Sequence, residues 1–456
     1  MLGSASLAFA ACKGRLPSPS SPLAAPAAPP DETYVSEVVG FGPLEPDPDR
    51  VFDLPSGFSY RIVSRAGDRM SDGLVVPGKP DGMGCFDLGG GRIALVRNHE
   101  LGSGDQARGS GAAALPRSRF YDGRDGKPCP GGTTTLILDA PTGTVESQHL
   151  SLAGTLVNCA GGTTPWGSWL SCEETVETGE LAHGWVFEVP AAAKAPVEPL
   201  PLKAMGRFLH EAAAVDPRTG IVYLTEDRPD SLFYRFLPLV PGRLSSGGRL
   251  QALALDGIAD ARNWDEQTLA EGSWHNARWI GLDQVESPDD DLRLRGHAAG
   301  AARFARGEGI HCGVGELYFT CTSGGAARHG QIMRYVPSRY EGHPRERDEP
   351  ARLQLFAESS SAKLFDYVDN VTVSPASHLI LCEDRAVSNP INHLKGATPY
   401  GRIYTIGRNV HCQGGELAGV CFSPDGATLF LNLYRPGLTL AVTGPWASFD
   451  GTRLAV

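Results

Sequence analysis

Short apolar strands recur along this chain, and each is preceded by a turn and another short strand. Strands of this length, bounded by glycine-, proline- or aspartate-containing turns, are typical of β-hairpins. One hairpin cannot bury its apolar face alone, so several have to pack together. The repeat therefore predicts an all-β fold. The second strands of the six hairpins are residues 93–100, 169–174, 221–227, 317–322, 379–384 and 429–434.

Six hairpins at irregular spacing favour a six-bladed β-propeller with long loops between the blades. The content of 56 glycines and 35 prolines in 456 residues agrees with a fold that needs many turns. We expect residues 31–456 to form this single domain. Two segments are predicted locally: 51–63 is a strand that leads into the first hairpin, and the loop 241–270 contains a short helix near 263–271.

Candidate metal ligands occur near the start of the first strand of each hairpin. In a propeller these first strands line the central channel, so equivalent positions converge on the axis. Carboxylates so close cannot all stay ionised without a counter-charge, and bound cations supply it most simply. Each of these residues, considered alone, would be interpreted as a surface or turn residue. Their equivalent positions in the six hairpins favour a shared metal site instead. The ligands at these six positions are Asp81, Cys159, Glu211, Glu308, the pair Asp369 and Asn370, and Glu416.

Two kinds of ligand are combined in the segment that runs from Cys159 to Glu174. A thiolate suits a transition metal, whereas carboxylate and amide oxygens suit calcium. Glu100 ends the second strand of the first hairpin, so its carboxylate is either a further metal ligand or part of a capped turn. The predicted site therefore mixes soft and hard ligands.

Arg306 and Glu308 are two residues apart on a predicted strand, so their side chains face the same side. An acid in this arrangement can hold a cation while the arginine binds an anion through two hydrogen bonds. The alternative is a simple salt bridge between the two side chains.

Several function classes are disfavoured. The net charge is -11 and no cluster of lysine and arginine is present, so nucleic acid is not an expected partner. The ten cysteines include no CxxC pair, which weighs against a zinc ribbon. Neither the GxSxG pattern of acyl hydrolases nor the GxGxxG pattern of dinucleotide-binding folds occurs.

Residues 1–30 are expected to form a leader followed by a disordered tether rich in proline, alanine and serine. The sequence Ala10-Ala11-Cys12 is similar to a bacterial lipoprotein cleavage site, which makes Cys12 a candidate lipid anchor to a membrane. The alternative is a frayed tail with an incidental cysteine. We favour export to the periplasm or cell surface of a bacterium.

Several long motifs follow one another along the chain. They are 158–162 (Asn-Cys-Ala-Gly-Gly), 164–174 (Thr-Pro-Trp-Gly-Ser-Trp-Leu-Ser-Cys-Glu-Glu), 206–211 (Gly-Arg-Phe-Leu-His-Glu), 306–309 (Arg-Gly-Glu-Gly), 382–384 (Cys-Glu-Asp) and 416–426 (Glu-Leu-Ala-Gly-Val-Cys-Phe-Ser-Pro-Asp-Gly). In this order they resemble the motifs of the PhoX-type alkaline phosphatases, and the resemblance extends from about residue 40 to residue 446. It implies a six-bladed propeller and a periplasmic phosphomonoesterase whose central site holds iron and calcium.

The same resemblance implies roles for individual residues. Cys159 is the expected iron-ligating thiolate and Arg306 the phosphate-binding arginine, and both are assigned to catalysis. Gly307 stands where the family motif commonly has proline. The predicted metal ligands are Cys159, Glu174, Glu211, Glu308, Asp369, Asn370, Glu416 and Glu100.

We therefore expect a monomeric enzyme that hydrolyses a phosphorylated small molecule with help from the metals and Arg306. Two alternatives remain. A calcium-dependent propeller lactonase or arylesterase would use a similar ring of acids but has no evident need for Cys159. A non-catalytic, metal-stabilised propeller would bind a partner through its long loops.

Overall fold

The computed structural model of the protein describes residues 34–112, 115–124, 126–385 and 391–448. The predicted leader and tether, with Cys12, lie outside the described residues. Within the described ranges, no helix is both long enough and apolar enough to cross a membrane.

The described residues form 28 β-strands, one short α-helix and six 3-10 turns, which confirms the expected all-β class. The strands are β1 (Leu44–Glu45), β2 (Phe52–Pro55), β3 (Ser59–Arg65), β4 (Pro80–Gly89), β5 (Arg92–His99), β6 (Gly123–Arg124), β7 (Lys127–Pro128), β8 (Gly131–Asp139), β9 (Val145–Thr155), β10 (Asn158–Thr163), β11 (Ser168–Glu173), β12 (Val186–Pro190), β13 (His210–Val215), β14 (Val222–Glu226), β15 (Tyr234–Pro238), β16 (Gly248–Leu255), β17 (Trp274–Gly281), β18 (Gly307–Cys312), β19 (Leu317–Cys321), β20 (Gln331–Val336), β21 (Ala351–Glu358), β22 (Val368–Val373), β23 (Leu379–Glu383), β24 (His393–Ala397), β25 (Ile403–Asn409), β26 (Leu417–Phe422), β27 (Thr428–Leu433) and β28 (Leu438–Thr443).

The helix α1 spans Leu292–Ala298. The 3-10 turns are Gln106–Arg108, Arg117–Arg119, Lys203–Met205, Leu244–Ser246, Pro344–Asp348 and Trp446–Ser448.

All six predicted hairpins are present as antiparallel strand pairs. They are β4 with β5, β10 with β11, β13 with β14, β18 with β19, β22 with β23, and β26 with β27. The first strands of these pairs contact one another in chain order, and β26 in turn contacts β4. They therefore surround a common axis, which gives the fold a propeller-like arrangement.

The further strands extend these hairpins outward. The sheets have the orders β4-β5-β8-β9, β10-β11-β12, β26-β27-β28-β3 and β1-β2-β25-β24-β23-β22. Strand β17 pairs with both β16 and β21, so the two hairpins that begin with β13 and β18 belong to one nine-stranded sheet.

The N-terminal strands pair with the end of the chain. The strand predicted at 51–63 is present as two strands, β2 and β3. Its predicted link to the first hairpin was wrong, because β2 pairs with β25 and β3 pairs with β28. The outer edge of β28 would otherwise expose unpaired backbone groups, and β3 covers it. This pairing also joins the two ends of the propeller-like ring.

The predicted helix near 263–271 was also wrong, because these residues form an irregular loop. Asn263 has a φ of +55°, and its side-chain oxygen accepts hydrogen bonds from the backbone N–H groups of Thr268 and Leu269. Side-chain bonds of this kind compete with helix formation. The predicted loop 241–270 also contains strand β16.

The first strands lie so close to one another that a side chain added at some of their glycines would clash with the next strand. A Cβ atom at Gly162 in β10 would lie 1.9 Å from the carbonyl oxygen of Ala213 in β13, whereas one at Gly281 would meet nothing within 4 Å. We expect Gly162→Ala to lower the free energy of unfolding by about 1–3 kcal/mol in chemical denaturation. The control Gly281→Ala should change it by less than about 0.5 kcal/mol. Equal effects of the two substitutions would contradict this packing of the first strands.

Candidate metal and phosphate site

Each first strand carries a β-bulge at the same place. In all six pairs, two residues near the start of the first strand oppose a single residue of the second strand. A bulge of this kind redirects a side chain out of the regular alternation. The first bulged residue is Asp81, Cys159, Glu211, Glu308, Asp369 and Gly419 in β4, β10, β13, β18, β22 and β26, respectively.

Five of the six bulges thus carry a candidate ligand, and the sixth carries glycine. Gly419 has a φ of +64°, and a Cβ atom there would lie 2.3 Å from the backbone oxygen of Asp81. Glycine is therefore required at this position. Glu416, the residue predicted for this strand, immediately precedes β26 instead.

Pairs of neighbouring acids end three of the second strands. In each pair, one acid is hydrogen-bonded away from the central cluster and the other reaches it. The carboxylate of Glu173 is satisfied away from the central cluster, because it accepts hydrogen bonds from the backbone N–H groups of Leu156 and Gly184. The next residue, Glu174, reaches the central cluster. Successive side chains of an extended strand point in opposite directions, which explains the split. Glu226 with Asp227 and Glu383 with Asp384 repeat this division.

The predicted ligands form two groups that share one residue. Ligand atoms of Cys159, Glu174 and Glu211 lie within 4.8 Å of one another, and so do those of Glu211, Glu308 and Asp369. Both carboxylate oxygens of Glu211 are buried and have no hydrogen-bond partner among the described residues. An unpaired buried carboxylate is costly, so this position requires a proton or a cation.

Burial and mutual repulsion raise the pKa values of the whole cluster. Burial is the main cause for Glu211, and the charges of Glu308 and Asp369 add to it. The pKa of Asp369 rises to about 8 and that of Asp384 to about 6, again chiefly through burial. The pKa values of Asp81, Cys159, Glu174, Glu308 and Glu416 are also well above their ordinary values.

Arg306 is held at the edge of this cluster by two acids. Its Nε and Nη2 atoms donate to the two carboxylate oxygens of Asp227 at 2.7 and 2.8 Å, and Nη2 also donates to Glu308 at 3.0 Å. The salt bridge between Arg306 and Glu308 is therefore present. The Nη1 atom has no hydrogen-bond partner among the described residues, so it can donate to an anion. Arg306 has a φ of +53°, an unfavourable conformation for a non-glycine residue.

The other predicted ligands lie around the same cluster. The side-chain amide of Asn370 donates to Asp369 at 2.8 Å, and its oxygen accepts from the backbone N–H of Gly419. Glu100 accepts a hydrogen bond from the hydroxyl of Tyr434, and burial raises the pKa of Glu100. Repulsion from Asp81 helps to raise the pKa of Glu416, after burial and the charge of Asp384.

Three neighbours were absent from the predicted ligand and catalytic set. Asp81 was noted as an equivalent position but not included, although its Oδ2 atom lies 3.8 Å from the Cys159 sulfur. Asp227 follows a strand-ending glutamate just as Glu174 does, so the sequence carried a signal for it. Tyr434 gave no such signal, because only the fold brings it to Glu100.

A search of curated protein sequences gives no significant match. Among solved structures, Pseudomonas fluorescens PhoX in complex with vanadate, a transition state analogue, superposes with a TM-score of 0.63 at 17% identity. The superposition covers 92% of this chain and 99% of that one, and it shows a common fold. A gluconolactonase of Xanthomonas campestris, XC5397, gives a TM-score of 0.40 at 13% identity over 89% of this chain and 98% of that one.

The family described as alkaline phosphatase PhoX matches residues 39–144 and 130–437. These matches span most of the chain and include every predicted site residue. They confirm the resemblance that the motifs indicated and the expectation of a phosphatase-type hydrolase. The chain belongs to the alkaline phosphatase PhoX family.

Proposed function

We propose that this protein hydrolyses phosphate monoesters at a central site that holds iron and calcium. The proposal is supported chiefly by Glu211, which belongs to both ligand groups. Both of its carboxylate oxygens are buried and have no hydrogen-bond partner among the described residues. A carboxylate shared in this way is suited to bridging two cations. A proton would neutralise Glu211 alone, whereas multivalent ions would neutralise its acidic neighbours as well.

The chemistry of the donors fits these metals. Cys159, Glu174 and Glu211 combine a thiolate with carboxylates, a set suited to iron. Glu211, Glu308 and Asp369 offer oxygen atoms alone, as calcium prefers. We further propose Asn370, Glu416 and Glu100 as oxygen ligands at the rim of the cluster. The metals would act as Lewis acids toward the phosphate and supply an activated nucleophile.

Arg306 is the proposed phosphate-binding residue. Asp227 occupies Nε and Nη2 and fixes the plane of the guanidinium, which leaves Nη1 to donate to a phosphate oxygen. Charge that develops on the transferring phosphoryl group would be stabilised by this preorganised donor. The organic part of the substrate would lie in the cavity of about 440 Å³ beside Glu100, which Lys79 and Tyr434 line.

The architecture that we propose is a single propeller domain of six blades over residues 31–456. It is supported by the closed sequence of contacts among the six first strands. We also propose that residues 1–30 act as an export leader and tether, with Cys12 as a lipid anchor at the periplasmic or outer surface of a bacterium. In this proposal the enzyme is a monomer and does not bind nucleic acid.

Cys159 distinguishes this proposal from the lactonase alternative. We expect Cys159→Ala to remove the iron and to lower the hydrolysis of p-nitrophenyl phosphate by about 100-fold or more, since the metal loses its thiolate ligand. The matched control is Cys172→Ala, a buried free cysteine in the adjacent strand β11. This control should retain both iron and activity.

A lactonase activity that survives in Cys159→Ala would favour the calcium-dependent lactonase or arylesterase. A metal-stabilised protein that hydrolyses neither phosphoesters nor lactones would favour the non-catalytic alternative. Either outcome would contradict the proposed function.

Replacing the arginine tests its role in binding phosphate. We expect Arg306→Lys to lower kcat/KM for p-nitrophenyl phosphate about 100-fold, because lysine cannot bind Asp227 through two bonds and the phosphate at once. Arg303→Lys, outside the cluster, is the control and should leave kcat/KM within about twofold. A normal kcat/KM in the Arg306 variant would exclude it as the phosphate ligand.

The raised pKa values predict how stability depends on pH in the absence of metal. The folded protein binds protons at Asp369, with a pKa of about 8, more tightly than the unfolded chain does. The stability from this group is full below about pH 4 and is lost as the pH rises toward 8. We therefore expect the Tm of metal-free protein to fall between pH 5 and pH 8.

Iron and calcium should raise the Tm more at pH 8 than at pH 5, because cations then replace the lost protons. Melting curves of the chelator-treated and reloaded protein measure this difference. A metal-induced rise in Tm that is the same at both pH values would contradict the assignment of these acids as ligands.

A further inference from the structure

A second group of candidate metal ligands lies outside the central cluster and shares no residue with it. It consists of Asp122, Cys129 and His183, and their ligand atoms lie within 4.8 Å of one another. Asp122 and His183 are buried, whereas Cys129 is partly exposed. The proposed phosphatase chemistry makes no use of these three residues.

The histidine in this group is held in a fixed orientation by Glu173. The Nδ1 atom of His183 lies 2.6 Å from Oε1 of Glu173, and the same carboxylate accepts hydrogen bonds from the backbone N–H groups of Leu156 and Gly184. In the tautomer that carries its proton on Nδ1, directed to Glu173, His183 would turn the lone pair of Nε2 toward Asp122, and a bound cation would take the place of the Nε2 proton. A carboxylate partner of this kind commonly orients the histidine ligands of metals.

On the other side of the imidazole ring, the distance between His183 and Asp122 is compatible with two ligands of one cation. The Nε2 atom of His183 lies 3.2 Å from Oδ2 of Asp122, clearly farther than Nδ1 lies from Glu173. Two ligand atoms at zinc bond lengths of about 2.0–2.1 Å and a tetrahedral angle are about 3.3–3.4 Å apart. The two atoms are within hydrogen-bond distance of each other, and their separation is also close to that of neighbouring zinc ligands.

The ligand types favour zinc over calcium or magnesium. Thiolate, imidazole and carboxylate together are typical of zinc sites, whereas the harder cations prefer oxygen alone. Cys129 also lines a cavity of about 190 Å³, together with Gln106, Lys127 and Leu150. Of the three ligands only Cys129 lines this cavity, so the ion and a water molecule as fourth ligand would enter from the side of the Cys129 sulfur.

We propose that Asp122, Cys129 and His183 form a zinc site with an open fourth position. The ion would bind the segment around β6 and β7 to the loop between β11 and β12. Because Glu173 holds His183 and precedes Glu174, the zinc would also brace the strand end that presents Glu174 to the central cluster. The site is thus a structural element next to the proposed phosphatase centre.

Zinc content tests this proposal in the full protein. After dialysis against micromolar zinc and removal of the excess, we expect Cys129→Ser to contain about one zinc ion fewer per chain than the wild type. Cys85→Ser, which replaces another partly exposed free cysteine, should contain as much as the wild type. Iron and calcium should be the same in all three proteins, which separates this site from the central one.

If the Cys129 variant folds poorly, X-ray absorption at the zinc edge of the wild-type protein still tests the proposal. We expect one sulfur ligand at about 2.3 Å, with nitrogen and oxygen ligands at about 2.0–2.1 Å. Equal zinc content in Cys129→Ser and Cys85→Ser, or a zinc spectrum without a sulfur ligand, would overturn the proposal.

Discussion

The fold buries many carboxylates around one axis, and the other features of the structure compensate for that burial. The two ligand groups that meet at Glu211 contain four carboxylates and one thiol, and burial disfavours the charged form of each. Such a core is stable only when protons or cations balance it. The closed cycle of first strands brings these groups together, and the apolar outer strands supply the packing that offsets the cost of burying them.

Two backbone devices direct the acids to this axis. A β-bulge in each first strand redirects one residue toward the centre, and glycines such as Gly162 and Gly419 let neighbouring strands approach closely enough to form the ring. Strand alternation then separates structural acids such as Glu173 from central ones such as Glu174. Local sequence and global fold therefore favour the same arrangement. The exceptions include the unfavourable positive φ of the residue before four of the first strands, namely Lys79, Val157, Arg306 and Tyr367.

Much of the arrangement could be predicted because the strand signal and the ligand positions are periodic. The six hairpins and the meeting of Cys159, Glu211 and Glu308 followed from equivalent positions in a repeat. The pairing of β3 with β28 could not be predicted in the same way, since it joins residues at opposite ends of the chain. The contact between Tyr434 and Glu100 and the Asp122–Cys129–His183 group likewise depend on tertiary structure alone.

Diffraction from crystals of the protein, with anomalous data at the iron edge, would show whether cations occupy the acidic cluster. We expect two cations that contact the carboxylate of Glu211. One is iron, bound to the sulfur of Cys159, and the other lies among oxygen ligands that include Glu308 and Asp369, at calcium distances of about 2.3–2.6 Å. A well-ordered Glu211 with no ion within bonding distance, in protein never exposed to a chelator, would contradict the proposed metal site.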